Sequence, residues 1–163
     1  AQEDALVAKL EKEGNAMHAC HVTEMDVMVM TLAAEAGFVL MMDIYKASPF
    51  EIGMEKSIDW SKEFIGKEAI AKQKTEGASQ KVVGILLSSH AIPRHGYEVV
   101  AEDKTIGTVT TGYKSVSTGQ SVCMALVDAA YAKLGTPLQI RIHRKLHDGE
   151  VVKKRFYDKH YKK

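Results

Sequence analysis

Apolar and polar residues alternate most cleanly in PLQIRIH, residues 137 to 143. Leu138, Ile140 and Ile142 face one way there, and Gln139, Arg141 and His143 the other. A period of two marks a strand with one dry face. Five more short β-rich runs share this half of the chain: QKVVGILLSS (80–89), GYEVVAE (96–102), TIGTVTTGY (105–113), QSVCMALVDAA (120–130) and GEVVKKRFY (149–157). IPRHG, EDK, STGQ, KLGTP and HDG separate them and supply turn or loop chemistry. Six strands at this spacing predict a small all-β barrel or sandwich.

The front half follows a helical period instead. Residues 3–13 predict a short helix in which Ala5, Leu6 and Leu10 share a face, acids sit in the first turn, and Gly14 caps the end. A second helix runs from a Thr23 cap, with Asp26 three residues on, to Gly37. Val22, Met25, Val29, Leu32 and Ala36 recur along it at helical spacing. Residues 38–60 lack one clean period and are punctuated by Pro49 and Gly53, which predicts a strand-like start and then irregular chain. FIGKEAIAKQKTEG predicts a third helix ending at Gly77. The fold class expected is therefore α+β, a short N-terminal helical region followed by a six-stranded antiparallel β barrel. The expected division is a helical part over 1–57, a linker helix over 58–79, and a barrel with a basic tail over 80–163.

Composition narrows the function classes. With 45% hydrophobic and 26% charged residues in 163, the chain is globular rather than disordered. A net charge of +1 gives no global field of the kind that marks a nucleic-acid binder. Lys153, Lys154, Arg155, Lys159, Lys162 and Lys163 cluster against the single acid Asp158, and a solvated tail is the plain expectation for such a run. Cys20 and Cys123 stand far apart, which favours free thiols in a reducing compartment. No apolar run approaches the ~18 residues that span a bilayer, and the N-terminal stretch has no signal-peptide core. These features point to a reducing compartment, so the expected location is cytoplasmic (or the mitochondrial matrix if the protein is eukaryotic), with no membrane partner.

Two stretches carry candidate chemistry. Met17, His18, Cys20, His21, Met25, Met28 and Met30 gather ligand types that suit copper(I). Met25 and Met28 share a helical face, but Met30 points elsewhere, so core packing by flexible methionines is favoured over a metal site. Glu35 is the other candidate. It lies in the last turn of an apolar helix end, where the macrodipole disfavours an acid by up to ~1 kcal/mol. Its neighbours are small, and both a solvent-reaching carboxylate and a ligand group fit that position. His90, His95, His143, His147 and His160 are scattered without metal spacing. No P-loop, GxGxxG, GxSxG or triad pattern occurs.

Three stretches together resemble the C-terminal part of the glycine-cleavage-system T protein family, the folate-dependent aminomethyltransferases. They are TLAAEAGF (31–38) followed by SPFEIG (48–53), then DWSKEFIGKEAIAKQK (59–74), then residues 81–140 from KVVGILLSSHAIPRHGYEVVAEDK onward, with VVKKRFY (151–157) after them. The resemblance implies a last domain that is a six-stranded barrel. It implies transfer of an aminomethyl group from the lipoyl arm of the H protein, passage of its methylene to tetrahydrofolate, and release of ammonia. In the family pattern, roughly GARDTLRLEAG, the glutamate hydrogen-bonds the pterin, and Glu35 holds that place.

Departures from the pattern matter too. Ala33 replaces the arginine of LRLEAG, and Val27, Met28, Val29 and Met30 fill the GARD positions, so the pocket wall turns apolar. Residues 1–57 then read as a remnant of the folate-binding region. The family's catalytic aspartate has no counterpart here, so no residue of this chain is assigned to catalysis and none to a metal. Arg94 and Tyr113 are expected to line the folate cleft, although Pro93 and Gly96 also make Arg94 a natural turn residue. The alternative reading is a non-catalytic module that docks an acidic partner, such as a lipoyl carrier, or a separate N-terminal half.

Overall fold

In the computed structural model, residues 2–17 and 26–158 are described. The chain is an N-terminal helical region followed by a closed six-stranded antiparallel barrel. The strands are β1 (Gln80–Leu87), β2 (Glu98–Ala101), β3 (Lys104–Lys114), β4 (Ser121–Asp128), β5 (Pro137–Ile142) and β6 (Lys145–Val152). They pair in the order β1-β4-β3-β2-β5-β6, and β6 returns to β1 to close the ring. Closure leaves no unpaired strand edge.

Alternate residues of each strand fill the interior. Val83, Ile85 and Leu87 of β1 meet Val99, Val109, Ala125, Val127, Ile140 and Val151 from the other strands. The outer faces differ. β5 shows the plain alternation, buried at Leu138, Ile140 and Ile142 and wetter at Gln139 and Arg141. β1 and β4 are covered on both faces, because Val82, Met124 and Leu126 pack outward against Ile52, Val39, Ala47 and Phe156. That is why QKVVGILL and SVCMALVD are continuous apolar runs in the sequence. Cys123 lies inside the barrel as a free thiol, and burial pushes its pKa far up, with the Asp43 carboxylate adding to the effect. Such a thiol is inert in the folded protein.

The helical front is more broken than the periodicity predicts. α1 (Gln2–Ala16) buries none of its side chains, and Gly14 lies within it rather than capping it. The second helix is a π-helical turn, Asp26–Thr31, leading into the single α-turn α2 (Leu32–Glu35). Its inward residues are Thr31, Ala34 and Glu35, not the Val29, Leu32 and Ala36 stripe. The Thr23 cap lies outside the described residues. No strand forms after Gly37. Instead α3 (Met41–Ile44) and α4 (Pro49–Ile52) are single turns, the latter capped by Ser48 and Glu51 in a reciprocal box and closed by Gly53 at φ 77°. Pro49 at the first helical position and Gly53 past the last are helix punctuation, where the sequence suggested only irregular chain. α5 (Lys67–Glu76) ends before Gly77 as expected. No helix among the described residues is long and apolar enough to cross a membrane.

The β5–β6 connection also corrects the sequence reading. HDG does not turn. It lies within β6, and the reversal comes earlier at His143, which takes φ 55°. The chain leaves β6 at Val152, so KKRFY is not strand but a strap across the front. Its amides at Phe156 and Tyr157 donate to the Glu35 carbonyl at 2.9 and 3.1 Å. Arg155 backbone lies 3.1 Å from where a Cβ on Gly37 would stand, and Gly37 has φ 84°. Lys154 is not a solvated tail lysine. Its Nζ donates to the Ile52 carbonyl at 2.5 Å, and partial burial lowers its pKa against the opposing pull of Glu55 and Asp43.

The loop 88–97 before β2 lies flat on β3 because residue 112 is glycine. A Cβ there would meet the Pro93 carbonyl oxygen at 2.2 Å. Gly112→Ala is therefore expected to lift that loop and cost about 1–3 kcal/mol, read as a lower urea midpoint with an unchanged slope. An unchanged midpoint would show that the loop does not depend on this contact.

Candidate functional site

Glu35 is 3% exposed. A buried carboxylate is stable only where donors replace its lost water. The loop after β3 supplies them. Ser115 Oγ donates to Glu35 Oε1 at 2.8 Å, Ser117 N donates to the same oxygen at 3.1 Å, and Ser117 Oγ donates to Oε2 at 2.5 Å. Ser115 Oγ also accepts from Thr118 N at 3.0 Å. The loop itself is closed by Ser115 N on the Gln120 carbonyl and Gly119 N on the Ser115 carbonyl. With Phe156 and Tyr157 on its main-chain carbonyl, Glu35 ties α2, the barrel loop and the C-terminal strap together.

A second acid follows the same logic. Asp43 is 1% exposed and accepts from Leu40 N at 2.7 Å. Thr110 Oγ1 of β3 makes a short hydrogen bond to its other oxygen, and the same hydroxyl lies 3.1 Å from the Met124 carbonyl. Asp43 thus ties α3 to β3 and β4. The sequence reading missed Asp43, Ser115 and Ser117. An acid isolated in the apolar run VLMMDIY was the available signal for the first, and the Ser/Thr density of SVSTG for the others.

The structure brings the remaining expected residues together. Arg94, exposed on the loop before β2, sets its guanidinium carbon 6.0 Å from the centre of the half-buried Tyr113 ring. Tyr113 stands two residues before Ser115, so the Arg94–Tyr113 pair and the Glu35 tie are carried by one end of β3. His95 Nδ1 lies 2.9 Å from the Thr110 carbonyl, and Tyr97 meets His143 edge-on at 5.8 Å. His143 and His147 line one cleft; His18, His21 and His160 lie outside the described residues. Of the proposed soft-metal set, Met17 is 73% exposed and not core. His18, Cys20, His21 and Met25 lie outside the described residues, as does the side chain of Met28. Among the described residues no group of three His, Cys, Asp or Glu side chains could hold a metal.

A closed six-stranded antiparallel barrel carrying a helical front, tied to it through a buried carboxylate, defines the class of domain. Residues 80–158 match the glycine cleavage T-protein C-terminal barrel domain. The chain is 48% identical over 117 residues to an aminomethyltransferase of Alkaliphilus oremlandii, covering 71% of this chain and 32% of that protein. It is 43% identical over 136 residues to an aminomethyltransferase of Thermoanaerobacter pseudethanolicus, covering 82% of this chain and 37% of that one. In fold it is similar to the crystal structure of glycine cleavage system aminomethyltransferase T from Bartonella henselae. The TM-score there is 0.73 at 24% identity, covering 78% of this chain and 37% of that chain. The chain belongs to the glycine cleavage T-protein family and corresponds to its C-terminal portion. It spans about a third of the length of the curated relatives it matches.

Removing the central carboxylate tests the tie. Glu35→Ala should leave the Ser115 and Ser117 donors unpaired and cost about 3 kcal/mol, against about 1 kcal/mol for Ser117→Ala. Urea unfolding followed by circular dichroism measures both. Equal, small losses would show that the carboxylate does not hold the front to the barrel.

Proposed function

We propose that this chain supplies the C-terminal share of a tetrahydrofolate-dependent aminomethyl transfer of the glycine cleavage type, and that it does not turn over alone. The lipoyl-bearing H protein would deliver the aminomethyl group, and the methylene would pass to tetrahydrofolate with release of ammonia. The observation that carries the reading is the way barrel serines orient Glu35, the residue at the place of the family's pterin-binding glutamate.

Hydrogen-bond capacity limits how Glu35 would serve. Each carboxylate oxygen accepts about two hydrogen bonds. Oε1 already accepts from Ser115 and Ser117, whereas among the described residues Oε2 accepts only from the Ser117 hydroxyl. One acceptor position therefore remains, on Oε2, and a single pterin N–H fits it. A paired, two-pronged contact would have to displace a serine. Arg94 and Tyr113 would line the approach, where the guanidinium suits the carboxylates of a folate tail.

A second reading, the docking of a separate N-terminal half, is favoured by one specific feature. Phe38, Met41 and Tyr45 are 66%, 77% and 68% exposed around α3. Large exposed apolar side chains so close together in the chain suit an interaction face. The two readings agree if the half that covers this face also completes the folate cavity.

Titration calorimetry with tetrahydrofolate should give no micromolar binding by the chain alone. Mixing it with the preceding two-thirds of the Thermoanaerobacter relative should restore methylene transfer from loaded H protein, and Glu35→Gln should abolish the restored activity. Micromolar binding by the chain alone would overturn the dependence on a second part. Restored activity indifferent to Glu35→Gln would overturn its assignment to the pterin.

A further inference from the structure

The sequence pointed to the tail as the basic feature, but part of that tail is turned to structural use. Lys154 donates inward to Ile52, and the backbone at Arg155, Phe156 and Tyr157 is packed against α2 and Gly37. Another concentration of positive charge is assembled by the fold, at the β5–β6 turn. An open cleft of about 790 Å³ runs there between that turn and the loop before β2. Arg94, His143, Arg144, Lys145 and His147 line it, and no acid among the described residues does. Ile92, Tyr97 and Ile142 supply an apolar floor.

Several of these groups are held in place. His143 packs edge-on against Tyr97, His147 Nδ1 pairs with Ser89 Oγ at 2.9 Å, and Arg94 sits over Tyr113. The neighbouring Arg141 is already paired with Glu98 at 2.8 Å and does not add to the field. Arg144 and Lys145, exposed beside the tight turn, make no ion pair with any described residue. The tight turn at His143, with its φ of 55°, brings the side chains of residues 143 to 145 out at one corner.

From this placement we propose that the cleft is a docking groove for an extended acidic protein segment. Cations without acidic partners suit carboxylates, and the apolar floor suits hydrophobic residues spaced between them. An open trough admits a polypeptide along its length. Because the barrel is closed, the segment cannot add as a strand and must be held through side chains. The proposal shares Arg94 with the folate reading but does not rest on it. A chain that bound tetrahydrofolate with its partner half and ignored acidic peptides would overturn this proposal and leave that one standing.

Fluorescence anisotropy of a fluorescein-labelled peptide of alternating glutamate and leucine, added to the full chain, tests it. Saturable binding is expected, weakened by salt. The Arg144→Glu, Lys145→Glu double variant should weaken it ~10-fold or more, while Lys153→Glu in the tail changes it little. Far-ultraviolet circular dichroism confirms that the variant is folded. If the double variant melts early, Lys145→Glu alone is expected to give a loss of several-fold. No saturable binding, or an equal loss with Lys153→Glu, overturns the groove. Competition by inorganic pyrophosphate at the peptide's own affinity overturns it in favour of a small-anion site.

Discussion

A carboxylate buried in protein must be given back the hydrogen bonds that water supplied, and this requirement sets how the front half meets the barrel. Glu35 and Asp43 both come from the front, and both find donors on β3 or the loop after it. The elements that carry them are single turns, far below the length at which an isolated helix holds together. Their apolar contribution is small, with Ala34 and Ile52 as the buried hydrophobic residues among those described between the end of α1 and α5. The polar ties therefore do what a helix face does elsewhere: they give short, irregular segments one position. Truncating either acid strands its donors as well as removing a contact, so each tie is worth more broken than made.

The barrel can bear those ties because its interior is filled, and its ring closed, by its own strands. Interior residues from all six strands fill it, and closure satisfies the ladder all the way round. β1 and β4 bury an apolar second face, and there the sequence departs from alternation. The strap after β6 completes the cover, with Phe156 on the outer cluster and its amide on Glu35. One short stretch thus couples the apolar seam to the polar tie.

Much of the barrel was legible in residues 80–143, since period-two patterning and turn chemistry are local signals. The misplacement of the β5–β6 turn at HDG was a failure of that same local logic. Gly149 reads as a turn residue, yet a Cβ there would stand 2.8 Å from the Leu86 carbonyl, so it is a glycine of close strand approach. His143 takes the turn instead, with a positive φ that is uncommon for a residue with a side chain. In the front half the helical stripe predicted from Val29, Leu32 and Ala36 failed because packing did not decide that segment. Glu35 did, by drawing its own side of the turn inward. Its unfavourable place at a helix end marked it as special, but the serines that satisfy it lie 80 and 82 residues away and leave no pattern near it.

The tie also bears on what kind of site this portion can offer. A ligand group that hangs from a mobile turn must be ordered at the moment of binding, at a cost to affinity. Glu35 carries no such cost, because two serines from a loop anchored on β3 fix both its oxygens beforehand. The same saturation narrows its chemistry: a carboxylate with one acceptor position left is a poor proton shuttle and a good fixed point. Under the proposed function, that suits a residue that orients a ring while the reaction proceeds elsewhere. Asp43 differs from Glu35 in its place. Asp43 accepts from a backbone amide on its own turn and a threonine hydroxyl of β3, and it lies against the barrel wall rather than at the end of β3 where Arg94 and Tyr113 stand.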